Sequence, residues 1–460
     1  MKFAMESATP SHPAAAEPQL FGHPRGLTYL FTTEMWERFS YYGMRSLLVL
    51  YMVKYLLNPG TVDNVIGFPE LRSVLDSVFG PLDIQPLASQ IYGLYTAFVY
   101  LTPILGGYLA DRWLGQRRTV IIGAVLMALG HFMMAFESLF LFALLALILG
   151  NGAFKPNIST QVGRLYAPGD ERRDRAYSVF YVGINLGAFF SPLVCGTLGE
   201  ELGWGYGFSA AGIGMVISLI IYSVALRVLP PDEPRAARTE AARPRLTSEE
   251  RRGVTALLLL FIPVTLFWAG YEQQGNTIAL WADSFTNRTI DLGFWQATIP
   301  TTWFQAFNPF MIFAFTPFVV ALWRRQAARH AEPTTVTKIA IGCLGIAIAN
   351  LIMAYAAWHV GDSKASWLWL FAYFVVLTLG ELYLSPTSLS LVTKIAPVSI
   401  VSLMMGVWLA TSFVGNFLAG WLGSYWSAMA KPDFFLMIAG VGAVAALLVW
   451  LIGRPLGIKY

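Results

Sequence analysis

Twelve mainly apolar stretches, each at least the roughly 20 residues that a helix needs to cross a hydrocarbon core about 30 Å thick, follow one another, most of them separated by short polar turns. They run over residues 25–57, 88–111, 117–136, 140–165, 175–199, 204–229, 252–283, 303–325, 336–358, 365–393, 399–427 and 433–456. A chain built this way must live in lipid as helices, because a helix satisfies its own backbone donors and acceptors where no water is available. Composition agrees: 56% of the residues are hydrophobic, 13% are charged, and the mean hydropathy is +0.56. The expectation is an all-α membrane protein with twelve transmembrane helices.

The formal net charge of +4 is too small to suggest a nucleic-acid partner, and the placement of the basic residues says more than their sum. With the N-terminus inside, 23 of the 31 Lys and Arg are assigned to the cytoplasmic side, in inner loops or at the inner ends of spans, against four in outer loops (Arg72, Arg288, Lys364, Lys431) and four within spans (Arg38, Arg45, Lys54, Lys155). Both termini are therefore expected on the cytoplasmic side of an inner (plasma) membrane. Residues 1–24 contain no apolar signal core, so they are expected to form a disordered cytoplasmic tail, with the first span acting as the insertion signal. Cys195 and Cys343 each stand alone in an apolar helix, which points to core packing, with neither metal-ligand nor disulfide spacing.

Apolar content collapses over residues 230–252, PPDEPRAARTEAARPRLTSEERR, and this segment divides the spans six and six. The expected units are an N-terminal six-helix bundle (25–229), a cytoplasmic linker (230–251) and a C-terminal six-helix bundle (252–460). Two bundles so joined are the plan of the major facilitator fold, whose substrate site lies between the halves near the bilayer midplane. The segment GGYLADRWLGQRR, 106–118, resembles the loop motif of that superfamily: Gly106 and Gly107 permit close helix approach, Asp111 can face a helix N-terminus, and Arg112, Arg117 and Arg118 hold the loop inside. In the long outer loop 58–87, ELRSVLDSVF reads as a short surface helix.

Charges within spans need a reason, since one at the bilayer centre costs about 2.5–3.5 kcal/mol on insertion scales. The first span reads TTEMWERFSYYGMRSLL. At about 100° per residue, Glu34, Glu37, Arg38, Tyr41, Tyr42 and Arg45 fall near 0°, −60°, +40°, −20°, +80° and +20°. All six share one face, which must turn to a wet cavity or to partners in the bundle. Lys155 lies among Gly150, Gly152 and Pro156, where the fourth helix is expected to be locally weakened; Glu272 lies in FWAGYEQQGN and Glu381 in TLGELYLSPT. A set of four acids and three bases is balanced by one proton, or by a cargo bringing complementary charges.

Three motifs, Glu34-x-x-Glu37-Arg38-Phe39-Ser40-Tyr41-Tyr42-Gly43, Phe180-Tyr181-x-Gly183-Ile184-Asn185-Leu186-Gly187-Ala188 and Glu381-Leu382-Tyr383-x-Ser385-Pro386, resemble the signatures of the proton-coupled oligopeptide transporter family. The resemblance implies that Arg45 and Lys155 face a peptide carboxylate, and that Glu381, Asn185 and Asn308 hold the peptide amine. It implies further that Glu272, with Glu34, Glu37 and Arg38, couples to protons, and that Tyr42, Tyr100, Trp268, Ser385 and Trp408 line the pocket. The linker is too short for the two extra helices that many bacterial members carry between the halves.

The chemistry agrees with that reading. A short peptide is a zwitterion, so cations on one bundle and a carboxylate on the other suit it, and Tyr and Trp offer area with a polar handle to varied side chains. The expected function is proton-coupled import of di- and tripeptides by alternating access, with Glu272 pairing Arg45 when deprotonated. Protons are the co-substrate and the bilayer the surroundings; no cofactor, metal or enzyme activity is expected, and the state is expected to be monomeric. The alternative is a transporter of the same fold for nitrate or another small organic anion.

Overall fold

The computed structural model describes residues 19–20, 22–167, 169–232, 246–291, 293–294, 296–361, 363–397 and 400–456. Most of the expected tail 1–24, the middle of the linker 230–251 and the last four residues lie outside the described residues. In chain order the helices are α1 (Arg25–Tyr51), α2 (Phe68–Phe79), α3 (Ile84–Leu109), α4 (Gln116–Met133), α5 (Phe140–Arg164), α6 (Arg172–Ser191), α7 (Thr197–Glu201), α8 (Trp204–Ala225), α9 (Ser248–Tyr271), α10 (Thr277–Ser284), α11 (Phe307–Ala328), α12 (Thr335–Val360), α13 (Trp367–Ile395), α14 (Val401–Gly423) and α15 (Lys431–Leu456). Among the described residues ten helical stretches are long and apolar enough to cross a membrane. Beside them stand α1, which carries Glu34, Glu37, Arg38 and Arg45, and α4, 18 residues long with Arg117 and Arg118 in its first turn. The surface helix read from ELRSVLDSVF is α2, introduced by Pro69 in its first turn. Short two- and three-residue ladders complete the fold, among them Thr286–Asn287 parallel to Ala365–Ser366 and Thr289–Asp291 antiparallel to Gln296–Thr298.

The helices gather into two groups. In the first, α1 packs on α6 and α8, and α5 on α3 and α4; in the second, α12 packs on α13 and α15, and α9 on α14 and α15. The groups meet chiefly where α3 lies against α14 and α6 against α11. Small residues make these approaches possible in the absence of a hydrophobic drive between helices in lipid. A Cβ on Gly187 would meet the Phe39 amide nitrogen at 2.8 Å and also the Met35 carbonyl, so α6 seats directly on the α1 backbone. A Cβ on Gly93 would lie 2.6 Å from the Gly420 Cα, which puts α3 and α14 in backbone contact.

Several expectations need correction. Helix α5 runs without a break through Gly150, Gly152 and Pro156, so Lys155 stands on a continuous helix. Those glycines instead accept neighbouring helices: Gly152 packs on Thr102 of α3 and Gly150 on Gly123 of α4. Gly106 likewise abuts the Gly152 carbonyl, whereas Gly107 has only Pro156 at 3.9 Å and imposes nothing. The first helix of the second group begins at Ser248, not 252, because Thr247 and Glu250 form a reciprocal cap: the Glu250 amide donates to Thr247 Oγ1 (3.2 Å) and the Thr247 amide to Glu250 Oε2 (2.8 Å). Beyond what the sequence suggested, the carboxylate of Asp232 is seated on the N-terminus of α4, accepting from the Gln116 and Arg117 amides at 3.1 and 3.2 Å. Gly115, with φ of 76°, makes the turn that brings Asp232 in. Lys54 stands at a helix end, half-exposed and bound to Asp283 at 2.9 Å, so it needs no place within a span.

Candidate functional site

Between the two groups lies a cavity of about 400 Å³, within the size range of small-molecule sites. From the first group it is lined by Arg38, Tyr42 and Arg45 of α1, Tyr100 of α3, Lys155 of α5 and Asn185 of α6. The second group brings Trp268 and Glu272, Asn308 of α11, Glu381 and Ser385 of α13 and Trp408 of α14. Of the site residues inferred from sequence, only Glu34 and Glu37 do not line it.

Their position follows from α1 itself. The helix is enclosed by its neighbours, so its polar stripe divides. Arg38 Nε binds Glu37 Oε2 at 2.5 Å and Glu34 Oε1 at 3.3 Å, and its guanidinium lies 5.0 Å from the centre of the Tyr41 ring. Glu34 and Glu37 thus flank the cavity wall as buried partners of Arg38, and Glu34 Oε2 has no hydrogen-bond partner among the described residues. Two turns beyond Arg38, Arg45 donates from Nε to Tyr92 Oη at 2.8 Å and from Nη2 to Glu272 Oε2, an ion pair that joins the two halves.

Glu272 reaches Arg45 because its helix breaks there. The α-helix ends at Tyr271, a tight turn covers Glu272–Gly275, and Asn276 has φ −112° and ψ −96° before α10 resumes. Gly275 leaves room for the Tyr92 hydroxyl, which a Cβ would strike. Discontinuous helices of this kind free backbone groups only where they border a cavity. On the same side of the site, Asn308 Nδ2 donates to Glu381 Oε2 (2.9 Å) and Thr378 Oγ1 (3.1 Å), while Tyr271 Oη donates to Asn308 Oδ1 (3.2 Å). Lys155 projects its ammonium 5.0 Å from the centre of the Tyr100 ring. The cavity therefore carries cationic groups on one wall and a hydrogen-bonded carboxylate on the other.

Sequence reasoning missed several uncharged members of the lining, notably Tyr181, Tyr271, Gln274, Gln305 and Ser412. Tyr181 and Tyr271 fall inside segments already singled out, one in the Phe180–Ala188 motif and the other beside Glu272. Gln305 stands one helical turn before Asn308, and its amide donates to the Ser46 carbonyl at 3.1 Å.

Contacts that cross between the halves gather away from the loop at 110–118, which carries Arg112, Arg117 and Arg118. They include Arg45 with Glu272, Gln305 with Ser46, Ser89 Oγ with Asn276 Oδ1 at 2.8 Å and Gln85 Nε2 with the Gly423 carbonyl at 3.0 Å. The halves are thus drawn together at the end opposite that basic loop.

Two bundles of membrane-crossing helices around a central polar cavity define a transporter of the major facilitator fold. The structure superposes on the crystal structure of "peptide transporter POT in complex with sulfate" with a TM-score of 0.83 at 30% identity, covering 96% of this chain and 98% of the other. It also matches a POT family transporter in complex with 5-aminolevulinic acid at a TM-score of 0.82 and 27% identity, covering 95% and 98%. The POT family model matches residues 117–237 and 236–437. A di-/tripeptide transporter of Lactococcus lactis subsp. cremoris is 34% identical over 504 residues, covering 96% of this chain and 97% of the relative. The Yersinia enterocolitica peptide transporter YePEPT is 33% identical over 475 residues, covering 88% of each. The chain belongs to the POT family.

Proposed function

We propose that this protein is a proton-coupled symporter that imports di- and tripeptides by alternating access. The observation that carries the reading is the opposition of Lys155 and Arg45 on one wall to Glu381 on the other. Extended chain spans about 3.3–3.6 Å per residue, so two or three residues present an ammonium and a carboxylate at separations suited to opposite walls of a cavity this size. Lys155 and Arg45 receive the carboxylate. Glu381, steadied by Asn308 with Asn185 nearby, receives the amine, and Tyr42, Tyr100, Trp268, Ser385 and Trp408 accommodate the side chains. The names of the relatives support the substrate class.

Protons enter through the acids. When Glu272 is ionised it holds Arg45; protonated, it releases Arg45 to the peptide carboxylate. Glu34, with an oxygen free of partners among the described residues, and Glu37 share Arg38 and supply the second coupled group. The protein acts as a monomer with twelve spans, α1 and α4 completing the ten. Its basic end faces the cytoplasm of an inner membrane, in keeping with the distribution of Lys and Arg, so both termini are cytoplasmic and the present state is closed to the outside.

The test is uptake of a labelled dipeptide into proteoliposomes with an imposed inward proton gradient. Unlabelled dipeptide competes strongly, whereas a dipeptide blocked at both ends and nitrate do not. Competition by nitrate equal to that by dipeptide would overturn the substrate assignment.

A further inference from the structure

At the end where the halves close, a single carboxylate from the first group binds the start of a helix of the second. Glu200, near the end of α7, accepts hydrogen bonds from the Thr301 amide at Oε2 (2.8 Å), from the Thr302 amide at Oε1 (2.8 Å) and from the Thr302 hydroxyl at Oε1 (2.8 Å). Thr301 and Thr302 open the continuous helical stretch Thr301–Ala328 that contains α11 and so carries Asn308. Amides at such a start have no partner within the helix, and the helix dipole favours an anion there. Hydrogen bonds to a charged acceptor are the stronger kind, and here all three share one carboxylate.

The surroundings make the contact specific to the closed arrangement. The Thr302 hydroxyl oxygen also lies 3.3 Å from the Pro192 carbonyl, and Gly196 has no side chain to hold it off. Trp303 Nε1 donates to Thr197 Oγ1 at 2.8 Å. Arg288 lies 3.8 Å from Glu200 and 3.6 Å from Asp283, which in turn binds Lys54 at 2.9 Å. Every one of these contacts except that between Arg288 and Asp283 joins the first group to the second, and none lines the central cavity except through Pro192.

We propose that Glu200 is a latch: it caps the first turn of the α11 stretch across the two halves in this state and must let go when this end opens to take up cargo. The proposal rests on the alternating-access reading, but not on the identity of the cargo. Glu200 is accordingly a positioning residue, setting the balance between the two access states without touching peptide.

The experiment places spin labels at Tyr206 and Lys364, exposed positions on the two halves at the closed end, and measures their distance distribution in nanodiscs without peptide or proton gradient. Cys195 and Cys343 are fully buried and do not compete for label. Glu200→Ala is expected to raise the ratio of long to short distances at least tenfold over the parent, and Glu200→Gln, which retains an acceptor but no charge, by less. Thr302→Val should shift the distribution less on the Glu200→Ala background than in the parent, since the bond to the carboxylate is then already gone and only the Pro192 contact remains to be lost. The exposed neighbour Glu201→Ala is the control. An unchanged distribution in both Glu200 variants, or the same shift from Glu201→Ala, overturns the proposal. The distances are read without transport, so loss of peptide uptake in the parent would count against the function above and leave this result standing.

Discussion

Removing Arg45 exposes how much the ion pair to Glu272 contributes. Both groups are buried, Glu272 at 1% exposure and Arg45 at 7%, and the pair joins the halves. Deleting one member of a buried pair leaves an uncompensated charge and costs about 3–5 kcal/mol. Arg45→Ala also leaves the buried Tyr92 hydroxyl without its donor, adding on the order of 1 kcal/mol. Glu272→Gln is milder: the amide carbonyl can still accept from the guanidinium, so the expected cost is about 1–2 kcal/mol, the difference between a charged and a neutral acceptor. In the double variant the Arg45→Ala penalty for a lone carboxylate disappears. Its total should therefore fall at least about 2 kcal/mol below the sum of the single changes. The assay is unfolding of the peptide-free protein in mixed micelles, titrated with a denaturing detergent and followed by tryptophan fluorescence. Effects that add to within about 0.5 kcal/mol would refute the claim that the two side chains act as one unit.

Other expectations follow from the same geometry. Lys155→Gln should weaken binding of a free dipeptide about 10- to 100-fold, as for loss of a charged hydrogen bond, while leaving affinity for the C-terminally amidated peptide nearly unchanged in calorimetry. Glu381→Gln should show the mirror pattern, with discrimination lost between free and N-acetylated peptides; an equal loss for both would contradict its role. Gly187→Leu should abolish a monodisperse elution profile because its neighbours on α1 are backbone atoms that cannot yield, whereas Gly107→Ala should elute like the parent. Asp232→Ala, which uncaps α4, should lower the thermal midpoint, in line with a cap worth about 1 kcal/mol.

The helical plan was legible because span length is set by the bilayer and not by packing detail, so most boundaries lie within a few residues of those read from the apolar runs. The stripe on α1 was legible as a stripe, since helix period alone phases Glu34 through Arg45. Which part of it meets the cavity was not: a bundle surrounds α1, so Arg38, Tyr42 and Arg45 reach open space while Glu34, Glu37 and Tyr41 are enclosed. Glycine was misread at Gly150 and Gly152 because low helix propensity suggests weakness, whereas in lipid the same lack of a side chain lets helices touch. The Asp232 cap was invisible for another reason. It lies 116 residues from Gln116 in sequence, and nothing local to either announces the contact. Uncharged lining residues such as Gln305 and Tyr181 carry no signal as sharp as a charge in a span.

The central claim is that one cavity takes up a neutral zwitterion together with a proton. It is tested most directly by recording charge movement on proteoliposomes adsorbed to a solid-supported electrode when Ala-Ala is added without a membrane potential. The account predicts an inward positive current that grows as the external pH is lowered and vanishes in Glu272→Gln, although that variant still exchanges peptide for peptide. Peptide entry with no accompanying charge, or the full current surviving in Glu272→Gln, would contradict it.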